Sequence, residues 1–181
     1  MKTPALFLVL FAALSAAAQS NPARWLLVKS TLTYRVSDAL HEVTGVSRAA
    51  RGKGVCADGQ CSFLVAAPVQ SFRSGDSNRD LHMMQAVRGA LDPMVIVRTQ
   101  LPQSAIHPGL LHANVRVRFG GEVHTYPEVA FTVVAQGRDL RLTGTLPIQL
   151  SDFGIKSPQF LFIAVKNLVP VDIVLRWRPT P

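Results

Sequence analysis

Three groups of residues carry side chains whose chemistry and spacing suggest a reaction or a ligand. His82-Met83-Met84 sets an imidazole beside two thioethers, a donor set that suits a soft ion such as copper. Cys56 and Cys61, in the stretch VCADGQCSF, are the two thiols of the chain and point to a redox pair, half of a metal site or a disulfide. Asp80 and Asp152 supply a carboxylate pair for general acid and base work, and His107, His112 and His124 supply imidazoles for proton transfer.

Each group also has a structural explanation, and local spacing decides between the two. On a helix, neighbours in sequence do not share a face. Met83, Met84, Ala86, Val87, Ala90 and Leu91 fall on one apolar arc, with His82, Gln85, Arg88 and Gly89 opposite and Leu81 as the exception. The methionines then pack over an interior, and His82 points away from them. The cysteines are not spaced as CxxC, and no second pair completes a zinc site. Asp58-Gly59 between them is a two-residue hairpin signal. It sets Ala57 against Gln60 and Cys56 against Cys61 at a non-hydrogen-bonded position, where side chains lie close enough for a disulfide. Asp80 fits first-turn charge favoured by the helix dipole, and the histidines occupy polar positions in or beside strands. With no GxSxG elbow, HExxH, phosphate-cradling glycine loop or lone reactive cysteine, the expectation is no catalytic residue, no metal site, no cofactor and no enzyme.

The elements that position these residues begin with a leader. MKTPALFLVLFAALSAAAQS has a charge at Lys2, an apolar run from Ala5 to Leu14 and small residues at Ala16 and Ala18. This is the pattern of a secretory signal peptide over residues 1–18, cleaved near Ala18, and the run is too short to span a bilayer. It predicts a periplasmic or secreted protein with one domain over residues 19–181. The 19 Lys and Arg against 11 Asp and Glu give a formal charge of +8, suited to acidic ligands or transient contact with a membrane surface. Export makes nucleic acid an improbable partner. LHANVRVRF alternates apolar and polar residues throughout, Gly120-Gly121 turns into EVHTYPEVAFTVVA, and DLRLTGTLPIQL and LVPVDIVLRW repeat the period. With STLTYRV, RGKGVCA, CSFLVAAPVQSF and MVIVRTQL, about eight strands joined by short turns predict an antiparallel barrel or sandwich. The helix is capped by Asp76 or Ser77 and ends at Asp92-Pro93. The inward rows place Tyr34, Phe63, Ile96, Val117, Phe119, Phe131, Val133, Leu142, Ile148 and Ile173 as the lining of the interior.

The order of these segments resembles the YceI-like family of exported bacterial proteins over nearly all of residues 19–181. STLTYRV, LHEVTGVSRAARGKG, NRDLHM, DPMVIVRT and SDFGI carry the resemblance. It departs from the family where Ser37, with His41 a little later, stands at the place of a frequent histidine, and where VRFGGEVHTYPEV replaces a Thr-rich hairpin. The resemblance implies an eight-stranded lipocalin-like barrel with short covering helices. Its hydrophobic channel would hold a polyisoprenoid, an isoprenoid quinone or a fatty-acid derivative. The competing readings are an interaction or stress-related module using the basic outer face and, less favoured, a small hydrolytic enzyme. The oligomeric state stays open, a dimer included.

Overall fold

The structure, a computed structural model, describes residues 23–37, 42–156, 159–160, 163–164 and 166–180. The leader and His41 lie outside the described residues. The strands are β1 (Ala23–Ser37), β2 (Glu42–Ser47), β3 (Arg51–Ala57), β4 (Gln60–Pro68), β5 (Met94–Pro102), β6 (Gly109–Phe119), β7 (Glu122–Gln136), β8 (Asp139–Gln149), β9 (Gln159–Phe160), β10 (Ile163–Ala164) and β11 (Leu168–Thr180). Neighbours pair antiparallel in the order β11-β8-β7-β6-β5-β4-β3-β1-β2, and β11 also pairs with β1, so the sheet closes. β3 pairs with Ala23–Leu26 and β2 with Leu32–Ser37 along the same edge of β1. They form one interrupted stave, which makes this an eight-stave barrel. The β9–β10 ribbon stands apart. Neither β2 nor this ribbon was expected as a strand, since EVTGVS is short and carries Gly45 in its middle.

The turns at the two ends differ, and that polarity matters for the site. At one end lie tight connections. Asp58 (φ 52°) and Gly59 (φ 75°) are both left-handed, as a type I′ turn requires, and Gly137 turns β7 into β8. Behind the first turn Cys56 faces Cys61 and the two form a disulfide, both side chains buried. The opposite end receives the long connections, with short 3-10 turns at Val69–Ser71 and Leu150–Phe153 and the helix α1 (Ser77–Ala86), beside the tight Gly120-Gly121 turn of β6 into β7.

Asp76 caps α1, its carboxylate accepting from the backbone N–H of Asn78 (2.9 Å) and Arg79 (3.0 Å). The helix stops earlier than its apolar arc suggests. Arg88 takes a left-handed φ of 56°, its N–H donates to Gln85 O, and the Gly89 N–H donates to Met84 O; this is a Schellman closure. The Arg88 guanidinium then donates to Phe153 O at 3.1 Å, which ties the helix end to the second connection. Met83, Met84 and Val87 pack against the core and His82 is exposed. Leu91, placed on the apolar arc by its spacing, is instead 80% exposed because the helix no longer carries it.

Candidate functional site: an apolar cavity under the hairpin end

Inward rows depend on strand parity, and two irregularities reset it. In β1, Trp25 and Leu27 point inward. An extra residue at Val28 then shifts the register, after which Ser30, Leu32 and Tyr34 take the inward places. In β7, Tyr126 points inward, Pro127 and Glu128 form a bulge, and Val129, Phe131 and Val133 follow. Glu128 has a φ of 49°, and its N–H donates to Asn114 Oδ1 at 3.1 Å. The bulge also gives Pro127 a place where its missing N–H does no harm.

Between the walls at the hairpin end lies a cavity of about 110 Å³. Its aromatic side is Trp25, Phe63, Phe131 and Trp177, and its aliphatic side includes Val65, Val97, Leu101, Leu111, Val115, Leu142 and Ile173. Ala105 and Ile106, at the turn between β5 and β6, reach it from the rim. Phe63 meets Trp177 edge-on at 5.0 Å. Small residues on the walls make room for the rings: a Cβ on Gly54, Gly144 or Gly52 would collide with Phe63, Phe131 or Trp177 respectively. Beside the two indoles, Thr99 has the only polar side-chain group among the described residues of the lining, and its hydroxyl donates to Asn114 O at 2.9 Å. Such a space selects an occupant by shape and apolarity and offers no acid, base or nucleophile.

Phe63, Phe131, Val133, Leu142 and Ile173, expected in the lining, all border this cavity. Val117, Phe119 and Ile148 point into the barrel but do not border it. They belong to the floor toward the helix end, where Phe119 packs edge-on to the fully buried Phe153 at 5.5 Å. Tyr34 lies against Phe72 at 5.8 Å, with its ring over Gly45. Ile96 is a correction. It shares parity with exposed Arg98 and Gln100 and faces outward, while Val95, Val97, Thr99 and Leu101 form the inward row of β5. The run MVIV hides the alternation, which only Arg98-Thr99-Gln100-Leu101 reveals. Trp25, Ala105 and Ile106 were missed. The bulge masks the period in Trp25-Leu26-Leu27-Val28, and a turn has no period to read.

The polar candidates hold structure together. Asp80 is buried and accepts from the N–H (2.9 Å) and hydroxyl (2.7 Å) of Ser74, with Arg73 Nη1 at 3.7 Å. The Ser74 hydroxyl bond, helped by the Ser74 N–H and the Arg73 charge, holds its carboxyl below the usual range. Asp152 belongs to a different group. It accepts from Tyr126 Oη at 3.0 Å with His124 Nε2 at 3.5 Å, and burial pushes the Tyr126 phenol above its ordinary value. Tyr126 Oη also accepts from the Gln149 N–H at 3.2 Å. His124, expected on the surface, keeps 39% of its side chain exposed and shares the Tyr126 side of the strand ahead of the bulge, 4.7 Å from the Tyr126 ring. His107 and His112 are exposed. Among the described residues, no three His, Cys, Asp or Glu side chains gather as a metal site would require.

No family model matches the chain, and no curated protein matches it. Solved structures do. A polyisoprenoid-binding domain from Saccharophagus degradans, implicated in plant cell wall breakdown, superposes with a TM-score of 0.69 at 16% identity over 86% of this chain and 98% of that one. BcnA from Burkholderia cenocepacia superposes with a TM-score of 0.68 at 16% identity over 81% of this chain and 95% of that one. These similarities establish a shared lipocalin-like barrel fold.

Proposed function

We propose that this chain is a YceI-like carrier that holds the apolar tail of a long amphiphile, a polyisoprenoid, isoprenoid quinone or fatty-acid derivative, without covalent chemistry. The observation that carries this reading is the cavity, which is apolar, framed by aromatic rings and floored by a packed core. The fold shared with a polyisoprenoid-binding domain supports the ligand class. The leader supports export to the periplasm or beyond; the intact mass of protein from its native host should begin at Gln19, and a retained Met1 would overturn that part.

The cavity is smaller than the ~150 Å³ space that holds one benzene, so it takes only the end of a long tail as it stands. Lodging more requires the aromatic rings of the floor to move, and the ligand-filled cavity is therefore deeper than this one. Met83 and Met84, half-buried against the core under the helix, are side chains that adapt readily to such a change. Each buried methylene contributes about 0.8 kcal/mol, so even four held in the cavity contribute about 3 kcal/mol before ordering costs.

The test is organic extraction and mass spectrometry of protein purified from its native host, beside Phe131→Asp. That variant sets a carboxylate in the lining at a cost of roughly several kcal/mol if it stays charged and unpaired. The expected result is lipid in the wild type and a sharp loss in the variant. A folded wild type that carries no lipid and takes up no added isoprenoid, quinone or fatty acid would reduce the cavity to a packing defect.

A further inference from the structure

The outer wall of the barrel carries a pattern unrelated to the cavity. β3, β4, β5 and β6 contain no Asp or Glu, yet they present Arg51, Lys53, Arg98, Arg116 and Arg118, all exposed. Strand register places these cations in rows. Arg116 lies beside Arg98, Arg98 beside Leu64, Leu64 beside Lys53, and Lys53 beside Leu26 of β1. In an adjacent row Arg118 lies beside Ile96, Ile96 beside Ala66, and Ala66 beside Arg51. On the other side Arg24 lies beside Val55. A crevice lined by Arg24, Trp25, Leu26, Lys53, Gly54, Val55 and Thr180 borders this wall on the β1 side, where the Trp25 ring turns to the interior cavity. None of the ion pairs among the described residues includes any of the five cations; the paired arginines are Arg35, Arg73, Arg176 and Arg178.

Like charges directly opposed on neighbouring strands destabilise a sheet in water, and Arg98 and Arg116 stand in that relation. An external polyanion removes the penalty. The side chains between the cations are aliphatic, with Leu26 half-exposed and Val55 exposed, and no Phe, Tyr or Trp ring faces outward from β3, β4, β5 or β6. Single-stranded nucleic acid is gripped by cations interleaved with aromatic stacking platforms; cations interleaved with aliphatic side chains match a layer of phosphates above acyl chains. We infer that this wall is a docking surface for an anionic phospholipid bilayer. Arg51, Lys53, Arg98, Arg116 and Arg118 engage the headgroup phosphates, while Leu26 and Val55 press into the headgroup–acyl boundary.

The test is co-sedimentation of the full chain with vesicles of phosphatidylcholine alone and of equal parts phosphatidylcholine and phosphatidylglycerol. All variants share one N-terminus, so the apolar run Ala5–Leu14 contributes equally to each. A cation near an anionic membrane surface is worth about fivefold in partitioning. Arg98→Gln with Arg116→Gln and Arg118→Gln should therefore weaken binding to the anionic vesicles roughly a hundredfold. Arg79→Gln with Lys156→Gln and Lys166→Gln removes the same charge elsewhere and should leave the wall intact and binding near wild type. High salt should release the wild type, and all three proteins should keep one circular dichroism spectrum. Equal weakening by both triple variants would mean that net charge alone acts, and would overturn the proposal. So would a wall variant that loses neutral and anionic vesicles equally, or one that keeps the vesicles while losing a single-stranded oligonucleotide. Phe131→Asp should still bind vesicles, so failure of the cavity reading and failure of this one give different results.

Discussion

Phe131 and Gly144 are cross-strand partners on β7 and β8, and the ring takes the space that a Cβ on the glycine would fill. The same arrangement recurs with Phe63 over Gly54 and Tyr34 over Gly45. At this scale each glycine is a place where close approach leaves no room for a Cβ, and the missing side chain lets the ring lie against the wall instead of filling the barrel. Gly144→Ala should push the Phe131 ring inward. Overpacking of this kind costs about 1–3 kcal/mol, read as a lower urea midpoint, and lipid content should fall with it. Phe131→Leu in the same chain should recover part of the loss, because the smaller side chain leaves the new methyl opposed only by the Ala130 carbonyl oxygen at 2.9 Å. Purely additive effects of the two substitutions would show that ring and glycine do not act as a pair.

Among the elements, the β3–β4 hairpin shows local sequence at its most decisive. Asp58-Gly59 forms the turn, the turn sets the register, and the register brings Cys56 to Cys61. The bond closes a very short loop, so chain entropy allows it only about 2 kcal/mol. Reduced protein, or Cys56→Ser with Cys61→Ser, should stay folded with its stability in urea unfolding lowered by that amount, and alkylation without reductant should label no thiol. Complete unfolding on reduction would mean that the hairpin needs the bond to form. The helix behaves differently. Its start is local, through Asp76, but its end is set by Arg88, which reaches across to Phe153 O. His82 stays in solvent on the exposed face, so His82→Ala should leave stability and any retained metal unchanged.

The whole molecule is strongly basic, and two of its buried carboxylates anchor arginines. Asp139 accepts from Arg178 Nε (2.8 Å) and Nη2 (3.0 Å), with Arg176 Nε at 3.2 Å. The Arg178 hydrogen bonds hold its carboxyl below the usual range, as the Ser74 hydroxyl does for Asp80. A carboxyl depressed in the folded state contributes stability in full above its unfolded value of about 3.9. That contribution is lost as the pH falls through the lower folded values. Melting temperature should therefore hold through the neutral range and fall below about pH 4, where protonation also adds to self-repulsion of a cationic chain. Asp80→Asn should lower stability at pH 7 and flatten the acid limb. An acid limb of unchanged slope in that variant would remove Asp80 from this account.

What the sequence determined by itself is what short range can encode. Alternation over LHANVRVRF, the turn at Asp58-Gly59, the cap at Asp76 and the inward places of Phe131, Val133 and Ile173 follow from a period of two or from the preferences of one turn, and all are found in the fold. What only the tertiary structure decided lies where the period breaks or a distant partner intervenes. The bulges at Val28 and at Pro127-Glu128 flip the parity of their strands, bringing Trp25 to the cavity and Tyr126 to the floor. The uninterrupted run Met94–Val97 left Ile96 assignable to either face until pairing with β4 and β6 chose the outside. The division of the interior into a cavity above and a packed floor below depends on Phe153, which arrives from a 3-10 turn far along the chain to meet Phe119 and Tyr126. A side-chain period is written in neighbouring residues, whereas the space left between walls is the residue of every packing contact at once.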